Sequence, residues 1–196
     1  AHAEKLVRAE LAEFPPGDYV FTDHIDGLGE QPTPVVFCVK VSFTGDGVIV
    51  DWAGTSPQGA GGINSTFPFT KSCAYAAIRS VLKQNIPNCH GFTVPIEVRA
   101  PEGSVVRPRF PAPTGARGIT GYRMLDCLMG ALAAAAPDRV TADGSGGASL
   151  PTFSGMVDGK QFVFCETLMG TSGACGAHDG QEGVAHIGAN QANVPV

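Results

Sequence analysis

Two arginines flank a glycine-rich helix start and are candidates to bind an anion. Arg117 and Arg123 lie in the segment GARGITGYRMLD. The first backbone N–H groups of a helix have no partner within it, and guanidinium groups beside them bind carboxylates or phosphates. A second interpretation stays open, because Asp126 lies three residues after Arg123 on the same helical face and can form a structural ion pair with it.

Polar side chains also follow the end of a predicted strand. Asp51 ends that strand within DWAGTSPQ, Thr55 follows in the loop, and Asn64 comes next within GGIN. Ligand-binding groups are often placed at such strand-to-loop corners. The competing interpretation is a turn, in which Asp51 accepts hydrogen bonds from nearby backbone N–H groups, and the strand end alone favours that turn.

A histidine in the glycine-rich segment GAHDG is a weaker candidate. His178 is followed eight residues later by His186, and the two can share a metal only if the loop folds back. The sequence contains no HExxH segment, so we predict no metal site here. Neither Cys89 nor Cys175 has an identifiable third group that would orient a cysteine nucleophile.

The composition is that of a folded chain with little surface charge. Hydrophobic residues make up 43% and charged residues 16% of the 196 residues, against roughly 25% charged residues in a typical soluble domain. Part of the surface is therefore expected to be covered by other protein. The net charge of -5 and the absence of a basic run argue against nucleic acid as a partner.

The sequence predicts neither a membrane span nor a disulfide framework. The longest apolar stretch, residues 125–136, is too short to cross a bilayer and contains Asp126. The first residues, AHAEKLVRAE, lack the basic and then apolar layout of a secretion signal, so the cytoplasm is the expected compartment. The six cysteines form no CxxC pair and lie mostly in apolar surroundings, so we expect free thiols.

Hydrophobic spacing predicts an α+β fold with mainly antiparallel sheets, two buried helices and long glycine- and proline-rich ordered loops. Helices are predicted over residues 3–14, 70–83 and 120–136, the last with Thr120 as its cap. Strands are predicted over residues 18–25, 35–43, 48–52, 94–100, 152–157 and 161–168, with turns at residues 45–47 and 158–159. Loops are predicted over residues 107–118 and 170–196. We expect a single compact region over residues 1–196, with a sub-boundary near residues 101–118.

Seven short segments occur along the chain in a fixed order. They are DWAGTSPQ, GGIN, IPNCHG, APEGSVVRPRFPAP, GARGITGYRMLD, GAHDG and the closing NQANVP at residues 190–195. This ordered series resembles the hydantoinase B/oxoprolinase family, the B-type subunit or region of N-methylhydantoinases, 5-oxoprolinases and acetophenone-type carboxylases. The resemblance extends over nearly all 196 residues, and the series is far more specific than any one segment.

The resemblance implies a two-component, ATP-dependent enzyme. An A-type partner that binds ATP and Mg²⁺ phosphorylates an amide or enolate oxygen, and the B-type component completes hydrolysis of a ring C–N bond or a carboxylation. The B-type subunits of the family are much longer than this chain, and their metal-binding Asp and His positions lie in an upstream third that has no counterpart here. A divalent metal is therefore expected in that upstream part, and none in this segment.

We therefore expect this chain to be an internal to C-terminal-side segment of a larger B-type subunit of a cyclic amide hydrolase. The substrate would be a hydantoin or a 5-oxoproline-like lactam, and the segment alone would be inactive. The expected partners are the A-type subunit, the remainder of the B-type subunit and a small-molecule substrate, without nucleic acid or membrane. Two alternatives stay open: a ketone carboxylase component of the same family, and a noncatalytic assembly module.

The resemblance also guides the choice of candidate site residues. The expected catalytic residues are Arg117, Arg123 and Asp51, and the expected substrate-binding residues are Thr55, Asn64 and His178. One departure concerns the loop before His178, where the family commonly shows GARPGxDG. This chain has Cys175 at the Arg position, which puts the usual anion contact of that loop in doubt.

Overall fold

The fold is α+β, as predicted. The computed structural model describes residues 1–144, 148–184 and 186–189, so the motif at residues 190–195 lies outside the described residues. The helices are α1 His2–Leu11, α2 Phe67–Val81, α3 His90–Thr93 and α4 Arg117–Ala135, and a 3-10 helix spans Pro137–Arg139. The strands are β1 Gly17–Ile25, β2 Val35–Phe43, β3 Val48–Asp51, β4 Ile96–Arg99, β5 Ala148–Ser149, β6 Thr152–Val157, β7 Lys160–Cys165 and β8 Leu168–Met169.

The first four strands form one sheet in the order β1-β2-β3-β4. β1, β2 and β3 pair antiparallel, as the sequence predicts, and β3 pairs with β4 in parallel. Along β2, Phe37, Val39, Val41 and Phe43 are buried, whereas the residues between them are partly exposed. Side chains of a strand alternate between its two faces, so one face of this sheet is buried.

Helix α4 packs against β1 and β2 on that buried face, and α2 packs against α4. Glycines on α4 allow this helix to approach β1 and α2 closely. A Cβ atom at Gly130 would lie 2.6 Å from the ring of Phe21 on β1, and one at Gly121 would lie 2.8 Å from the ring of Phe69 on α2. The two helices expected to be buried therefore lie in the core together with Trp52 and β2.

Two helix starts differ from those predicted. Helix α2 begins at Phe67, three residues early, because Pro68 fits the first turn, where its missing N–H has no intrahelical partner. Helix α4 begins at Arg117, so the prediction that Thr120 caps it is wrong. Thr120 is instead fully buried within the helix, and its hydroxyl donates to the backbone carbonyl of Ile63.

Two small sheets follow α4 along the chain. One pairs β5 with β8, and the other is the β6–β7 hairpin. The turn of the hairpin lies at Asp158 and Gly159, as predicted, with φ of 51° and 73°. Cross-strand pairing places Phe153 opposite Phe164, and both rings are more than half exposed. None of the helices within the described ranges has the length and the apolar character that a membrane span requires.

All six cysteines are free thiols, as predicted, and they differ sharply in burial. Burial raises the pKa of Cys73 to about 12, and also that of Cys127 to about 12. Cys89 and Cys165 are exposed. Because only the thiolate reacts with alkylating reagents, the two buried thiols are the protected ones.

Alkylation of the folded chain is therefore expected to separate the two pairs of cysteines. With iodoacetamide at about pH 8, Cys89 and Cys165 should react at least ~100-fold faster than Cys73 and Cys127. Mass mapping of the labelled peptides over time gives the four rates. The same reaction in urea is the control, because unfolding removes the burial and should equalise the rates. If Cys73 in the folded protein were alkylated at the same rate as Cys89, that result would contradict the burial of Cys73.

Candidate functional site

A cavity of about 380 Å³ lies where the polar side of α4 meets the loops that follow it. Its wall combines charged, hydroxyl and imidazole groups with apolar side chains. The polar lining residues include Asp126, Arg139, Thr141, Asp143, Thr171, Ser172, His178, Gln181 and His186. A cavity of this size with a few convergent polar groups is the usual form of a small-molecule site.

Arg123 connects α4 to the sheet beside this cavity. Its Nη1 lies 2.6 Å from Oδ2 of Asp23 on β1 and 3.5 Å from Oδ2 of Asp126 one turn along the helix. The ion pair with Asp126 is the one that the helical spacing predicts, and the closer pair with Asp23 joins residues 100 positions apart. Arg123 therefore holds two carboxylates in place through one guanidinium nitrogen, Nη1.

Asp126 and His186 form a buried pair. The Asp126 residue is 3% exposed, and its Oδ1 lies 2.7 Å from Nε2 of His186. The Nδ1 atom of His186 accepts a hydrogen bond from the backbone N–H of Gly188, at 2.9 Å. Because a backbone N–H only donates, His186 carries its proton on Nε2 and donates it to Asp126. This pair fixes the loop at residues 186–189 against α4.

Asp143 lines the cavity and is the third carboxyl group in this region, after Asp23 and Asp126. Partial withdrawal from water raises its pKa, and the negative charges of Asp126 and Asp23 raise it further. The positive charge of Arg123 opposes these effects. A raised carboxyl pKa means that the neutral, protonated form persists to a higher pH than in water.

Three of the residues predicted from sequence hold backbone in place. Oδ1 of Asp51 accepts the N–H of Ala53 at 2.9 Å, which is the turn that the sequence favoured. The hydroxyl of Thr55 bonds to both the N–H and the carbonyl of Cys38. Asn64 is fully buried, and its amide bonds to the loop at residues 59–61 and to a second loop at residue 113.

The other predicted residues are divided between the cavity and the surface. Arg117 is exposed, and its guanidinium lies 5.7 Å from the centre of the Phe69 ring. His178 lines the cavity, and its Nδ1–H donates to the carbonyl of Asp179 at 2.9 Å. The carbonyl of His178 accepts the N–H of Cys175, so these two residues close one small turn.

The structure thus brings Arg123 and His178 to the cavity region and places Asp51, Thr55, Asn64 and Arg117 elsewhere.

Sequence reasoning did not nominate Asp23, Asp143 or His186 as site residues. Asp126 was named only as a partner for Arg123. A carboxylate within an apolar helix can itself indicate a functional site, because aspartate is rarely buried unless it is paired with another group. Asp23 and Asp143 carry no local signal, since only the tertiary fold brings them near Arg123. Within the described part of the chain, no three His, Cys, Asp or Glu side chains are placed to hold a metal ion.

Comparison with known proteins places this sequence in a family. The whole chain, residues 1–196, matches the family described as Hydantoinase B/oxoprolinase. The chain belongs to the hydantoinase B/oxoprolinase family. Among its relatives is the B-type subunit of a "Putative D-/L-hydantoinase" of Pseudomonas sp. (strain NS671), 32% identical over all of this chain and 35% of that protein. This hydantoinase B-family chain therefore spans about a third of the length of that relative.

Two solved structures share the fold. The ATP-dependent caprolactamase from Pseudomonas jessenii superposes with a TM-score of 0.83 and 23% identity, over 95% of this chain and 33% of that one. A nucleotide-free structure of acetone carboxylase superposes with a TM-score of 0.81 and 14% identity, over 100% of this chain and 29% of that one. At these identities the superpositions establish the α+β fold of the hydantoinase B-family chain and nothing about its substrate.

Proposed function

We propose that this chain is part of the B-type component of an ATP-dependent hydrolase of cyclic amides, which acts with an A-type partner that uses ATP. The observation that carries the proposal is the match of the entire chain to the hydantoinase B/oxoprolinase family, together with 32% identity to the B-type subunit of a hydantoinase. The caprolactamase neighbour is named as ATP-dependent, which agrees with ATP use by the assembled enzyme. The proposed compartment is the cytoplasm, where ATP is available.

The chemistry explains why two components are needed. An unstrained amide is a poor electrophile, and a phosphoryl group on its oxygen makes the carbon easier for water to attack. We assign ATP and Mg²⁺ to the A-type partner, and a divalent metal to the part of the B-type subunit outside this segment. The segment itself then contributes a cavity that positions charged groups against the ring, and it is expected to be inactive alone.

Within this proposal the cavity beside α4 is the part of the segment that meets substrate. Arg123 braces the site by holding Asp23 and Asp126, and His186 holds Asp126 from the other side. His178 lines the cavity and has its Nε2 available as a hydrogen-bond acceptor, because its proton is on Nδ1. Direct roles for Arg117, Asp51, Thr55 and Asn64 stay predictions, and the contacts of the last three are with backbone.

The test is to reconstitute the full-length B-type subunit with its A-type partner and to measure ATP hydrolysis and ring opening together. Hydantoin, 5-oxoproline, a larger lactam, and a ketone with bicarbonate are supplied in parallel. We expect ADP and the ring-opened product to form in equal amounts with one or more of the cyclic amides, and neither component alone to form product. ATP hydrolysis that responds only to ketone and bicarbonate would replace this proposal with the carboxylase alternative.

A further inference from the structure

A second cavity, of about 210 Å³, lies between α2 and α4 and is bordered by the loop at residues 187–188. Its lining includes Phe69, Cys73, Ala76, Gly118 and Leu125. The hydroxyl of Ser72 also lines it, but this group already donates to the carbonyl of Pro68 at 3.0 Å. None of its described lining residues is charged. This apolar cavity is therefore suited to hydrocarbon, because an unpaired polar group is costly to bury there.

The apolar cavity shares a wall with the charged cavity, which is the one lined by Asp126 and Asp143. Ile187 lines both cavities, and its two neighbours divide between them, with His186 lining the charged cavity and Gly188 the apolar one. Ile187 is 39% exposed, so the outer edge of this wall is open to solvent. A molecule in the charged cavity therefore reaches the apolar cavity across the side chain of Ile187.

The wall is held against α4 on both sides of Ile187. The His186 ring donates from Nε2 to Asp126 at 2.7 Å and meets the Tyr122 ring edge-on, with centroids 4.9 Å apart. Gly188 packs so closely that a Cβ atom there would lie 2.8 Å from Cδ1 of Leu125. The position of Ile187 is thus set before a ligand arrives, and a preformed wall of this kind selects ligands by size.

The size of the apolar cavity indicates that it is part of a larger site. Small-molecule sites usually measure about 300–1,000 Å³, and 210 Å³ is below that range. The charged cavity, at about 380 Å³, lies within it. A cyclic amide joins a polar amide group to a hydrocarbon portion, and the two adjoining cavities differ from each other in the same way.

We propose that the apolar cavity is a subsite for aliphatic groups carried on the ring of the cyclic amide, and that Ile187 limits the size of the group that enters it. The inference rests on the proposed function, in which the amide itself occupies the charged cavity. Each CH₂ that leaves water for an apolar cavity favours binding. The subsite therefore gives cyclic amides with an aliphatic substituent a higher kcat/KM than the unsubstituted ring.

Gly118→Leu in the full two-component complex tests the subsite by filling it. A Cβ atom at Gly118 would meet nothing within 4 Å, and leucine is a strong helix former, so the variant is expected to fold. The substrates are the cyclic amide that the complex opens and its derivative with an isobutyl group on a ring carbon. Wild type should prefer the isobutyl derivative at least ~10-fold in kcat/KM, and Gly118→Leu should lower that ratio at least ~5-fold.

Gly115→Leu is the matched control for Gly118→Leu. A Cβ atom at Gly115 also meets nothing within 4 Å, and this residue lines neither the charged nor the apolar cavity. The ratio of the two kcat/KM values should therefore stay within about twofold of wild type.

Ile187→Ala tests the wall between the cavities. Because a shorter side chain widens the passage, a derivative with a bulkier benzyl group should gain at least ~5-fold in kcat/KM relative to the unsubstituted amide. Ile119→Ala is its control, since it removes the same atoms from a side chain that is 50% exposed and lines neither cavity. This control should leave the relative kcat/KM of the benzyl derivative as in wild type.

Three results would overturn the inference. The first is a smaller isobutyl preference in wild type than the one expected, and the second is the same ratio in Gly118→Leu as in Gly115→Leu. The third, which decides the matter if Gly118→Leu does not assemble, is the same benzyl ratio in Ile187→Ala as in Ile119→Ala. A wild-type complex that opens no cyclic amide with ATP would instead overturn the proposed function.

Discussion

Arg123→Met is expected to lower the free energy of unfolding by about 2–3 kcal/mol at about pH 7.5, because breaking a mostly buried ion pair leaves its carboxylates uncompensated. Arg123 lies 2.6 Å from Asp23 and 3.5 Å from Asp126. The Arg123 side chain is 28% exposed and the Asp126 side chain 4% exposed, so water cannot fully replace the lost cation. Methionine keeps much of the side-chain volume and removes the charge together with the N–H donors.

The pH dependence of this variant gives a sharper test than the loss of stability alone. Arg123 lowers the pKa of Asp143 against the effect of burial, so its removal raises that pKa further. A carboxyl whose pKa is higher in the folded than in the unfolded state destabilises the fold above its unfolded pKa, and this cost is lost as pH falls through the folded pKa. The stability deficit of Arg123→Met should therefore shrink between about pH 7.5 and pH 5.

Urea denaturation followed by circular dichroism at the two pH values measures the deficit. Arg117→Met is the matched control, because the same substitution removes an exposed guanidinium that contacts a ring face and a backbone carbonyl. Its free energy of unfolding should change by less than about 0.5 kcal/mol. Equal effects of the two substitutions, or a deficit in Arg123→Met that grows as pH falls, would contradict the role assigned to Arg123.

Asn64→Ala is expected to destabilise the chain by about 2–4 kcal/mol, because it leaves buried backbone groups without partners. The side chain is 0% exposed. Its Oδ1 accepts the N–H of Gly59 at 2.9 Å, and its Nδ2 lies 2.8 Å, 3.0 Å and 2.9 Å from the carbonyl oxygens of Gly59, Gly61 and Pro113. One amide thus joins two loops that lie about 50 residues apart in sequence, at residues 64 and 113.

Gln58→Ala provides the matched control for Asn64→Ala. Gln58 also bridges the two loops, since its Oε1 accepts the N–H of Arg109 at 2.7 Å and its Nε2 lies 3.4 Å from the same residue's carbonyl. Those bonds are exposed, so water replaces them and the expected loss is below about 1 kcal/mol. Thermal unfolding of both variants beside wild type gives the comparison. If Asn64→Ala lowered the free energy of unfolding no more than Gln58→Ala, burial of the Asn64 amide would not contribute to stability.

The strands and helices with a regular hydrophobic pattern were predictable because that pattern lies within a short stretch of sequence. Residues 35–43 alternate apolar and polar side chains, and the structure confirms β2 over that range. The parallel pairing of β3 with β4 was not predicted. It depends on the chain returning through α2 to the same sheet, which neither strand encodes by itself. Thr120 shows a different limit of prediction from sequence. Its hydroxyl forms a buried hydrogen bond to the carbonyl of Ile63, a tertiary contact that the local sequence does not reveal.

The candidate site was harder to predict than the fold. Arg123 could be nominated from its place in the glycine-rich helix start, but its closest partner is Asp23, 100 residues away. Asp143 and His186 lie in segments without periodicity, so only the folded chain shows that they face one cavity. Thr55 and Asn64 were predicted to bind substrate from their places in two of the segments that resemble the family. Their observed partners are backbone groups, and satisfying buried backbone is the commonest use of such side chains.

The β6–β7 hairpin has a consequence for how unfolding is followed. An isolated pair of strands is only marginally stable in water, and the facing rings of Phe153 and Phe164 are largely exposed. Its amide protons should therefore exchange with solvent by local opening while the four-stranded sheet stays protected. Intrinsic fluorescence cannot detect that opening, since the single tryptophan, Trp52, is buried in the core. Hydrogen exchange resolved by residue is the method that separates the two events.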